Sequence, residues 1–261
     1  MKLLIDVGNT RVKWIILNER GQRRNGAICR RGLDVLACDL SEQFQGNVMD
    51  EAAVSQVYVA SVAGAQVDQL LTVWVRDMFA VDALFAQVKR SCSGVSVGYE
   101  KLESFGVDRW LALMAARQQE RGPCVVIDAG SAITVDYLDA DGVHGGGLIV
   151  PGVSMMARAL FSNTMDVKVG ALTLPQLWRP EYDTLSCVEN GVFAMIKGFL
   201  CEVLGHSGKA APSVLLAGGD AASLKKMLDQ GASGQIGGSS KLRVRVCRDL
   251  VLDGLLLADW K

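Results

Sequence analysis

The sequence predicts an α/β chain with two similar halves, because one strand–aspartate–glycine–strand pattern occurs twice. LLIDVGNTRVKWIIL (residues 3–17) is an apolar strand that reaches an aspartate, turns at a glycine and returns as an alternating strand. CVVIDAGSAITVDYLDADG (residues 124–142) has the same order. The equivalent positions are Asp6 and Asp128, Gly8 and Gly130, and, with an offset that differs by one residue, Gly21 and Gly142. A repeat about half a chain apart predicts a duplicated domain, with a cleft between two acid-bearing hairpins.

The first hairpin has residue types that allow two interpretations. Its turn is expected to contain Asp6, Gly8, Asn9 and Thr10. Asp and Asn bend the backbone through side-chain hydrogen bonds and Gly accepts a positive φ, so a simple tight turn is one interpretation. The other is a phosphate site, because backbone N–H groups and a Thr hydroxyl bind phosphate oxygens while an Asp holds hydrated Mg²⁺.

A helix near the middle of the chain separates the two halves. FGVDRWLALMAARQQERG (residues 105–122) predicts a helix that begins near Asp108, has one apolar face, and ends at Gly122-Pro123. The expected apolar face consists of Leu111, Met114 and Ala115. We therefore expect an N-terminal domain over residues 1–121 and a C-terminal domain over residues 122–261, whose last helix is able to pack back on the first domain.

Four further segments follow the second hairpin. DTLSCVENGVFAMIKGFLCEVLG (183–205) predicts a long helix, and SVLLAGGDAASLKKML (213–228) predicts a strand, a glycine turn and a helix. GASGQIGGSS (231–240) predicts a flexible loop, and RDLVLDGLLLADW (248–260) an amphipathic closing helix.

Composition excludes several classes of protein. No apolar stretch approaches the roughly 18 residues of a membrane span, and the N-terminus lacks the pattern of a signal peptide, so we expect a cytoplasmic protein without membrane contact. The formal net charge is −1, from 27 Lys+Arg and 28 Asp+Glu, which predicts no nucleic-acid surface. The short basic cluster RRNGAICRR (23–31) is interpreted as solvated surface.

Cysteines and histidines predict neither a disulfide framework nor a metal site. The seven cysteines include no C-x-x-C pair and are expected to be reduced and mostly buried. The only two histidines, His144 and His206, lie in no metal-ligand pattern. The two commonest nucleotide-phosphate fingerprints, G-x-x-x-x-G-K-[ST] and G-x-G-x-x-G, are also absent.

Several short motifs follow one another along the chain: DVGNT (6–10), GVDR (106–109) preceded by Tyr99, DAGSAIT (128–134), GGGLIVPGV (145–153), TLSCVENG (184–191) and LAGGD (216–220). This ordered set resembles the type III pantothenate kinases, a family of the acetate and sugar kinase, Hsp70 and actin superfamily. This resemblance implies two duplicated ribonuclease H-like domains with a cleft between them. It also implies ATP-dependent phosphorylation of pantothenate, the first step of coenzyme A biosynthesis, by a homodimer that needs Mg²⁺ and a monovalent cation, K⁺ or NH₄⁺.

The resemblance also assigns roles to individual residues. Asp108 is the implied general base, and Asp128 the implied ligand of the monovalent cation. Asp6 lies near Mg²⁺, with Asn9 and Thr10 near the transferred phosphoryl group. The implied ATP- and phosphate-binding residues are Asp6, Val7, Gly8, Asn9, Thr10, Arg11, Val12, Lys13 and Ser131. The implied pantothenate-binding residues are Tyr99, Gly106, Val107, Asp108, Arg109 and Thr184, the last reaching across the dimer interface.

Each of these residues also has a purely structural interpretation. Asp108 and Thr184 could be helix N-caps, and Tyr99 could pack at the end of a strand. Arg109 could be a surface cation, although the first turn of a helix disfavours positive charge. Gly145 to Gly147 and Gly152 could admit either a neighbouring strand or a ligand.

Three other functions remain open from the sequence. A sugar kinase of the same superfamily is disfavoured because no Cys-rich zinc motif or sugar signature is present. A mechanical ATPase like actin or Hsp70 is disfavoured because this chain is too short for their extra subdomains. A non-catalytic regulatory protein that retains the fold would show no turnover of ATP with pantothenate.

Overall fold

The computed structural model describes residues 1–30, 32–45, 54–161, 174–175, 179–205, 213–231 and 242–260. They form two compact units, of which the first comprises residues 1–117 with 249–261 and the second residues 118–248. The predicted loop at 231–240 lies outside the described residues except for its first residue. His206 also lies outside them.

Within the described ranges, the first unit contains a five-stranded sheet, a short two-stranded hairpin and four α-helices. The sheet has the order β3-β2-β1-β4-β5, with β1 antiparallel to β2 and parallel to β4. The strands are β1 (Lys2–Val7), β2 (Arg11–Leu17), β3 (Arg23–Cys29), β4 (Gln56–Ser61) and β5 (Ala83–Phe85), followed by the hairpin β6 (Ser91–Cys92) and β7 (Val95–Val97). The helices are α1 (Leu33–Gln45), α2 (Ala65–Phe79), α3 (Val107–Gln119) and α7 (Leu250–Leu255).

The strands of this unit alternate between an apolar core and the opposite face of the sheet. Leu3, Ile5 and Val7 join the core to which α1 and α2 contribute side chains such as Phe44 and Trp74. The short α7 contacts β1 and β4 and is buried at five of its six residues. The closing helix is thus shorter than predicted and is not amphipathic.

Helix α3 differs from its prediction in the same way. It ends at Gln119, three residues before Gly122, and it buries Val107 and every residue from Arg109 to Ala116 rather than one face. One reason is Gly254 of α7, whose missing side chain lets the two helices touch, since a Cβ there would lie 2.6 Å from the Leu111 carbonyl carbon.

The second unit repeats the topology of the first. Its strands follow the order β10-β9-β8-β11-β12, with β8 antiparallel to β9 and parallel to β11. The strands are β8 (Cys124–Ala129), β9 (Ala132–Leu138), β10 (Val143–Pro151), β11 (Ser213–Ala217) and β12 (Arg243–Val246). The helices are α4 (Val153–Phe161), α5 (Thr184–Gly205) and α6 (Ala221–Gly231). The predicted fold class, a duplicated α/β chain of ribonuclease H-like units, is confirmed.

The duplication extends to individual hydrogen bonds of one turn. Between β2 and β3, Asn18 Oδ1 accepts the N–H groups of residues 20 and 22, at 3.0 and 2.9 Å. Between β9 and β10, Asp139 Oδ1 accepts those of residues 141 and 143, at 2.9 and 2.8 Å. Gly21 and Gly142 both have a positive φ, 74° and 83°, as the turn requires. The predicted equivalence of these two glycines is confirmed.

Two other sequence predictions have mixed outcomes. All seven cysteines are free thiols as predicted, but only Cys124 is buried, because most of the others lie on outward positions of strands and helices. Strand β3 carries the basic cluster and is largely exposed, as predicted. Among the described residues, no helix is both long enough and apolar enough to cross a membrane.

Candidate active site

The first hairpin closes through a backbone hydrogen bond between Gly8 and Arg11. The N–H of Gly8 donates to the Arg11 carbonyl at 2.9 Å, and strand pairing continues into the turn, with Asp6 opposite Lys13. Two details of the prediction are wrong: Asp6 is the penultimate residue of β1 rather than a turn residue, and Gly8 is not among the residues with a positive φ. The turn needs neither Asp6 nor a positive φ at Gly8, because residues 9 and 10 complete it.

Strand alternation sorts the residues of this hairpin by accessibility. Val7 and Val12 face the core and are fully buried, so they can hold a ligand only through their backbone. Asp6 and Lys13 occupy the adjacent strand positions and are half-buried. The exposed residues at the tip are Asn9, Thr10 and Arg11. A carboxylate, an ammonium group and the turn are therefore available to an approaching ligand.

A cavity of about 520 Å³ lies beside Asn9 within the first unit. The first residues of α1 and α2 line it together with Arg30, whose buried Nη1 has no hydrogen-bond partner in the described part of the chain. Helix α2 begins after Gly64, which supplies no side-chain cap. Uncapped helix N–H groups and a guanidinium give this cavity a positive potential that suits an anion.

The GVDR segment forms the start of α3 and is shaped around the carboxylate of Asp108. Asp108 is the second residue of the helix, and its Oδ1 accepts the backbone N–H of Arg109 at 2.8 Å. Gly106 precedes the helix, and a Cβ on it would lie 2.5 Å from that same Oδ1. A side chain at position 106 would thus displace the carboxylate. The N-cap interpretation of Asp108 is wrong in position, although the side chain does accept one of the free N–H groups of the first turn.

Arg109 and Tyr99 join Asp108 in one cluster. Arg109 is only 7% exposed, so the interpretation as a surface cation is wrong. Its Nη1 donates to the Tyr99 hydroxyl at 3.4 Å. Tyr99 follows the end of β7 by two residues, and its ring packs on Phe105 with centroids 4.6 Å apart. The structure therefore brings together four of the five predicted pantothenate residues of the first unit, while Val107 is turned into the core.

The second hairpin carries Asp128 beside a turn that is one residue tighter. The N–H of Gly130 donates to the Ala132 carbonyl at 2.9 Å, and Asp128 lies opposite Thr134. The N–H of Gly152 donates to the Ser131 carbonyl at 2.9 Å, and a Cβ on Gly152 would lie 2.5 Å from that oxygen. Gly152 therefore admits neighbouring backbone, which decides one question that the sequence left open.

The LAGGD turn lies against Asp128 within the second unit. Gly218 follows β11 with φ +90°, and a Cβ there would collide with the carboxylate of Asp128 and lie 2.5 Å from the Ala129 carbonyl carbon. The N–H of Asp220 donates to the Ala129 carbonyl at 3.0 Å. The predicted strand, glycine turn and helix are confirmed here.

Thr184 is the exposed first residue of α5, and its neighbour caps the helix. Asp183 Oδ1 accepts the backbone N–H of Ser186 at 2.9 Å, so the interpretation of Thr184 as the cap is wrong. Hydrogen bonds from the backbone and then the hydroxyl of Ser186, and from the backbone of Leu185, lower the pKa of Asp183 below its usual value.

Sequence reasoning missed two features near the predicted residues. Phe105 lies under Arg109, and its only signal was its place directly before GVDR. Asp136 and His144 form a buried pair in the second unit, with Oδ1 and Nε2 2.8 Å apart. The signal for this pair was an aspartate in the middle of the apolar strand AITVDYL, which demands a polar partner.

Comparison with known proteins gives a consistent assignment. The family model for type III pantothenate kinase matches residues 2–205. The type III pantothenate kinase of Teredinibacter turnerae is 40% identical over 228 residues, covering 84% of this chain and 88% of the relative. That of Saccharophagus degradans is 34% identical over 276 residues, covering 100% and 99%.

Among solved structures, the fold resembles the activator of the 2-hydroxyisocaproyl-CoA dehydratase from Clostridium difficile, determined with bound ADPNP. The TM-score is 0.53 at 12% identity, covering 98% of this chain and 92% of that one. This likeness concerns the fold alone, whereas the family model and the two relatives extend over most of the sequence. The chain belongs to the type III pantothenate kinase family.

Proposed function

We propose that this chain transfers the terminal phosphoryl group of ATP to the primary hydroxyl of pantothenate, in the first step of coenzyme A biosynthesis, with Asp108 as the general base. The observation that carries this proposal is the cluster at the start of α3. There the Asp108 carboxylate accepts the backbone N–H of Arg109, and the buried Arg109 guanidinium donates to the Tyr99 phenol. Gly106 lies beside them, and a side chain on it would collide with the carboxylate.

Asp108 suits the role because it is half-buried at a helix N-terminus. Phosphoryl transfer depends mainly on positioning and on charge stabilisation, and a base that also orients the acceptor hydroxyl contributes roughly 10²- to 10⁴-fold in rate. Tyr99, Gly106 and Arg109 hold the pantothenate beside it. Arg109 is the only cation of this set, and a guanidinium is well matched to a carboxylate such as that of pantothenate.

The first hairpin and Ser131 are assigned to ATP. The backbone and hydroxyl groups of residues 6–13 bind phosphate oxygens, and Asn9 and Thr10 lie near the transferred phosphoryl group. A single carboxylate is compatible with Mg²⁺, because this ion needs only one or two carboxylates besides phosphates and water. Asp6 would supply that carboxylate, and the ion would neutralise phosphate charge.

Asp128 is assigned to a monovalent cation, K⁺ or NH₄⁺. Its carboxylate lies next to Gly218, which also approaches the Ala129 carbonyl. Oxygen ligands are those that hard cations prefer. Replacing K⁺ and NH₄⁺ by Na⁺ or a bulky organic cation should lower activity. Unchanged activity would exclude this role and leave the kinase assignment intact.

Thr184 is assigned to the pantothenate site of a partner subunit in an obligate homodimer. It is exposed, as are the apolar side chains Leu185 (41%) and Met195 (64%) of the same helix, which supports an interface along α5. Light scattering that finds a stable, fully active monomer would exclude the dimer. We also assign the protein to the cytoplasm, and the domains to residues 1–121 and 122–261, with the last helix packed back on the first domain.

The test of the general base is the variant Asp108→Asn, which keeps the shape of the side chain and removes its basic carboxylate. A coupled assay of ADP release with pantothenate should find most turnover lost, with normal folding and ATP binding. Asp139→Asn is the matched control, because Asn18 already fills the equivalent turn. Wild-type turnover of Asp108→Asn would end the general-base hypothesis.

The alternatives are decided by the same assay with other acceptors. A preference of the wild-type protein for a sugar over pantothenate would indicate a sugar kinase. Absence of ADP release with every acceptor would favour a non-catalytic regulatory protein.

A further inference from the structure

The buried position of Arg109 requires compensation from its surroundings. The guanidinium belongs to a residue that is 7% exposed and sits in the first turn of α3, where the helix dipole repels a positive charge. Burying a charge without suitable partners is costly, and an arginine that must present its fork to a substrate cannot use all its donors within the protein. A group that contacts the face of the guanidinium can add to that compensation without occupying any of those donors.

Phe105 is such a group. The Cζ atom of Arg109 lies over the Phe105 ring, 4.7 Å from its centroid, which is a cation–π contact. The ring contacts the face of the guanidinium and takes up none of its N–H donors.

Tyr99 supports the Phe105 ring, and Arg90 supports Tyr99. Tyr99 packs on Phe105 with centroids 4.6 Å apart and planes at 42°, and its hydroxyl accepts from Arg109. Arg90 Nη1 in turn donates to the Tyr99 carbonyl at 2.7 Å. The phenyl face and the phenol, both in the segment between β7 and α3, thus form a binding site for one guanidinium.

We propose that Phe105 is a positioning residue for Arg109, which it holds in the orientation that binds the carboxylate of the pantothenate substrate. This inference rests on the proposed function of Arg109. The simpler interpretation is that Phe105 only fills the core. Phe44 provides the comparison, since it is equally buried at 2%, stacks on Trp14 and Trp74, and has no cation over its ring among the described residues.

The test compares Phe105→Leu with Phe44→Leu and Phe105→Tyr. Phe105→Leu should raise the KM for pantothenate about 3- to 30-fold, the range expected for loss of a desolvated cation–π contact, with kcat and the KM for ATP changed less than about twofold. Phe44→Leu should lower the melting temperature and leave the KM for pantothenate unchanged. Phe105→Tyr keeps the ring and should retain the wild-type KM, even if its buried hydroxyl lowers stability. Equal pantothenate KM values in Phe105→Leu and wild type would overturn the inference.

A second measurement keeps this inference separate from the function on which it rests. In the ligand-free protein with ¹⁵N-labelled arginine, the Nε–H signal of Arg109, assigned from Arg109→Lys, should show a ring-current shift. That shift should disappear in Phe105→Leu and persist in Phe44→Leu. Its absence from the wild type would refute the stacking itself. If instead the shift is present and pantothenate is not phosphorylated, the proposed function fails and the role of Phe105 in holding Arg109 stands.

Discussion

Replacing Gly218 by alanine perturbs the closest backbone approach beside Asp128. Gly218 has φ +90°, and its Cβ would lie 2.5 Å from the Ala129 carbonyl carbon, with the Asp128 carboxylate also in collision. Ordinary contacts of a Cβ begin near 3.4 Å, so the end of β11 or the end of β8 must move by about 1 Å. Both ends are held by strand pairing, with Ala217 opposite Asp128.

The expected loss of stability has two parts. A positive φ costs an alanine roughly 1–2 kcal/mol, and overpacking against rigid backbone costs about 1–3 kcal/mol more. The sum is about 2–5 kcal/mol, a large share of the roughly 5–15 kcal/mol that stabilises a typical domain.

Gly146→Ala separates the two parts, because Gly146 lies in the same unit at φ +101° with nothing within 4 Å of its Cβ. Urea denaturation followed by circular dichroism should find only the positive-φ cost in Gly146→Ala, and a larger loss in Gly218→Ala. Equal losses in the two variants would show that the collision with Ala129 and Asp128 carries no energy. Because Asp128 is the proposed cation ligand, Gly218→Ala should also raise the K⁺ concentration needed for half-maximal activity.

Two further changes have defined outcomes. Asp183→Ala should lower the melting temperature at neutral pH, because it removes the acceptor for Ser186. Since the folded pKa of Asp183 lies below its unfolded value of 3.8, this contribution is complete above that value and is lost as the pH falls through the folded pKa, so wild type and variant should converge in acid. His144→Ala should cost about 3 kcal/mol in urea unfolding, because it removes a partner from the buried Asp136 carboxylate. The double change Asp136→Leu/His144→Phe should cost less, and a double variant that is less stable than His144→Ala would contradict this account.

Local patterns predicted the strands and the turns of this chain, because strand alternation and turn chemistry depend on neighbouring residues. The repeat of Asp6 and Asp128 led to two units with the same strand order. The predicted apolar residues of α3, Leu111, Met114 and Ala115, are buried, but their neighbours are buried too. One reason lies outside that helix: Gly254, far along the chain, lets α7 pack closely against Leu111.

The candidate site was predictable where a motif names its residues and not where packing decides. GVDR led to the cluster at the start of α3, but no local pattern shows that Phe105 turns under Arg109 rather than into the core. Capping was equally undetermined, since the sequence allowed Thr184 as the cap of α5, whereas the structure has Asp183 in that role.

The two hairpins have the same strand order and differ in how firmly each turn is held. The Gly130 turn closes over two residues. Gly152 of the neighbouring segment donates a backbone hydrogen bond to it and has no side chain to keep the two segments apart. The Gly8 turn closes over three residues, with Asn9 and Thr10 exposed at its tip. A rigid turn suits a permanently coordinated cation, because its oxygens need no rearrangement. An open turn with exposed polar side chains suits a phosphoryl group that arrives and leaves in every cycle. The single residue by which the turns differ is therefore the change that would allow one duplicated element to take the two roles assigned to Asp128 and to residues 6–13.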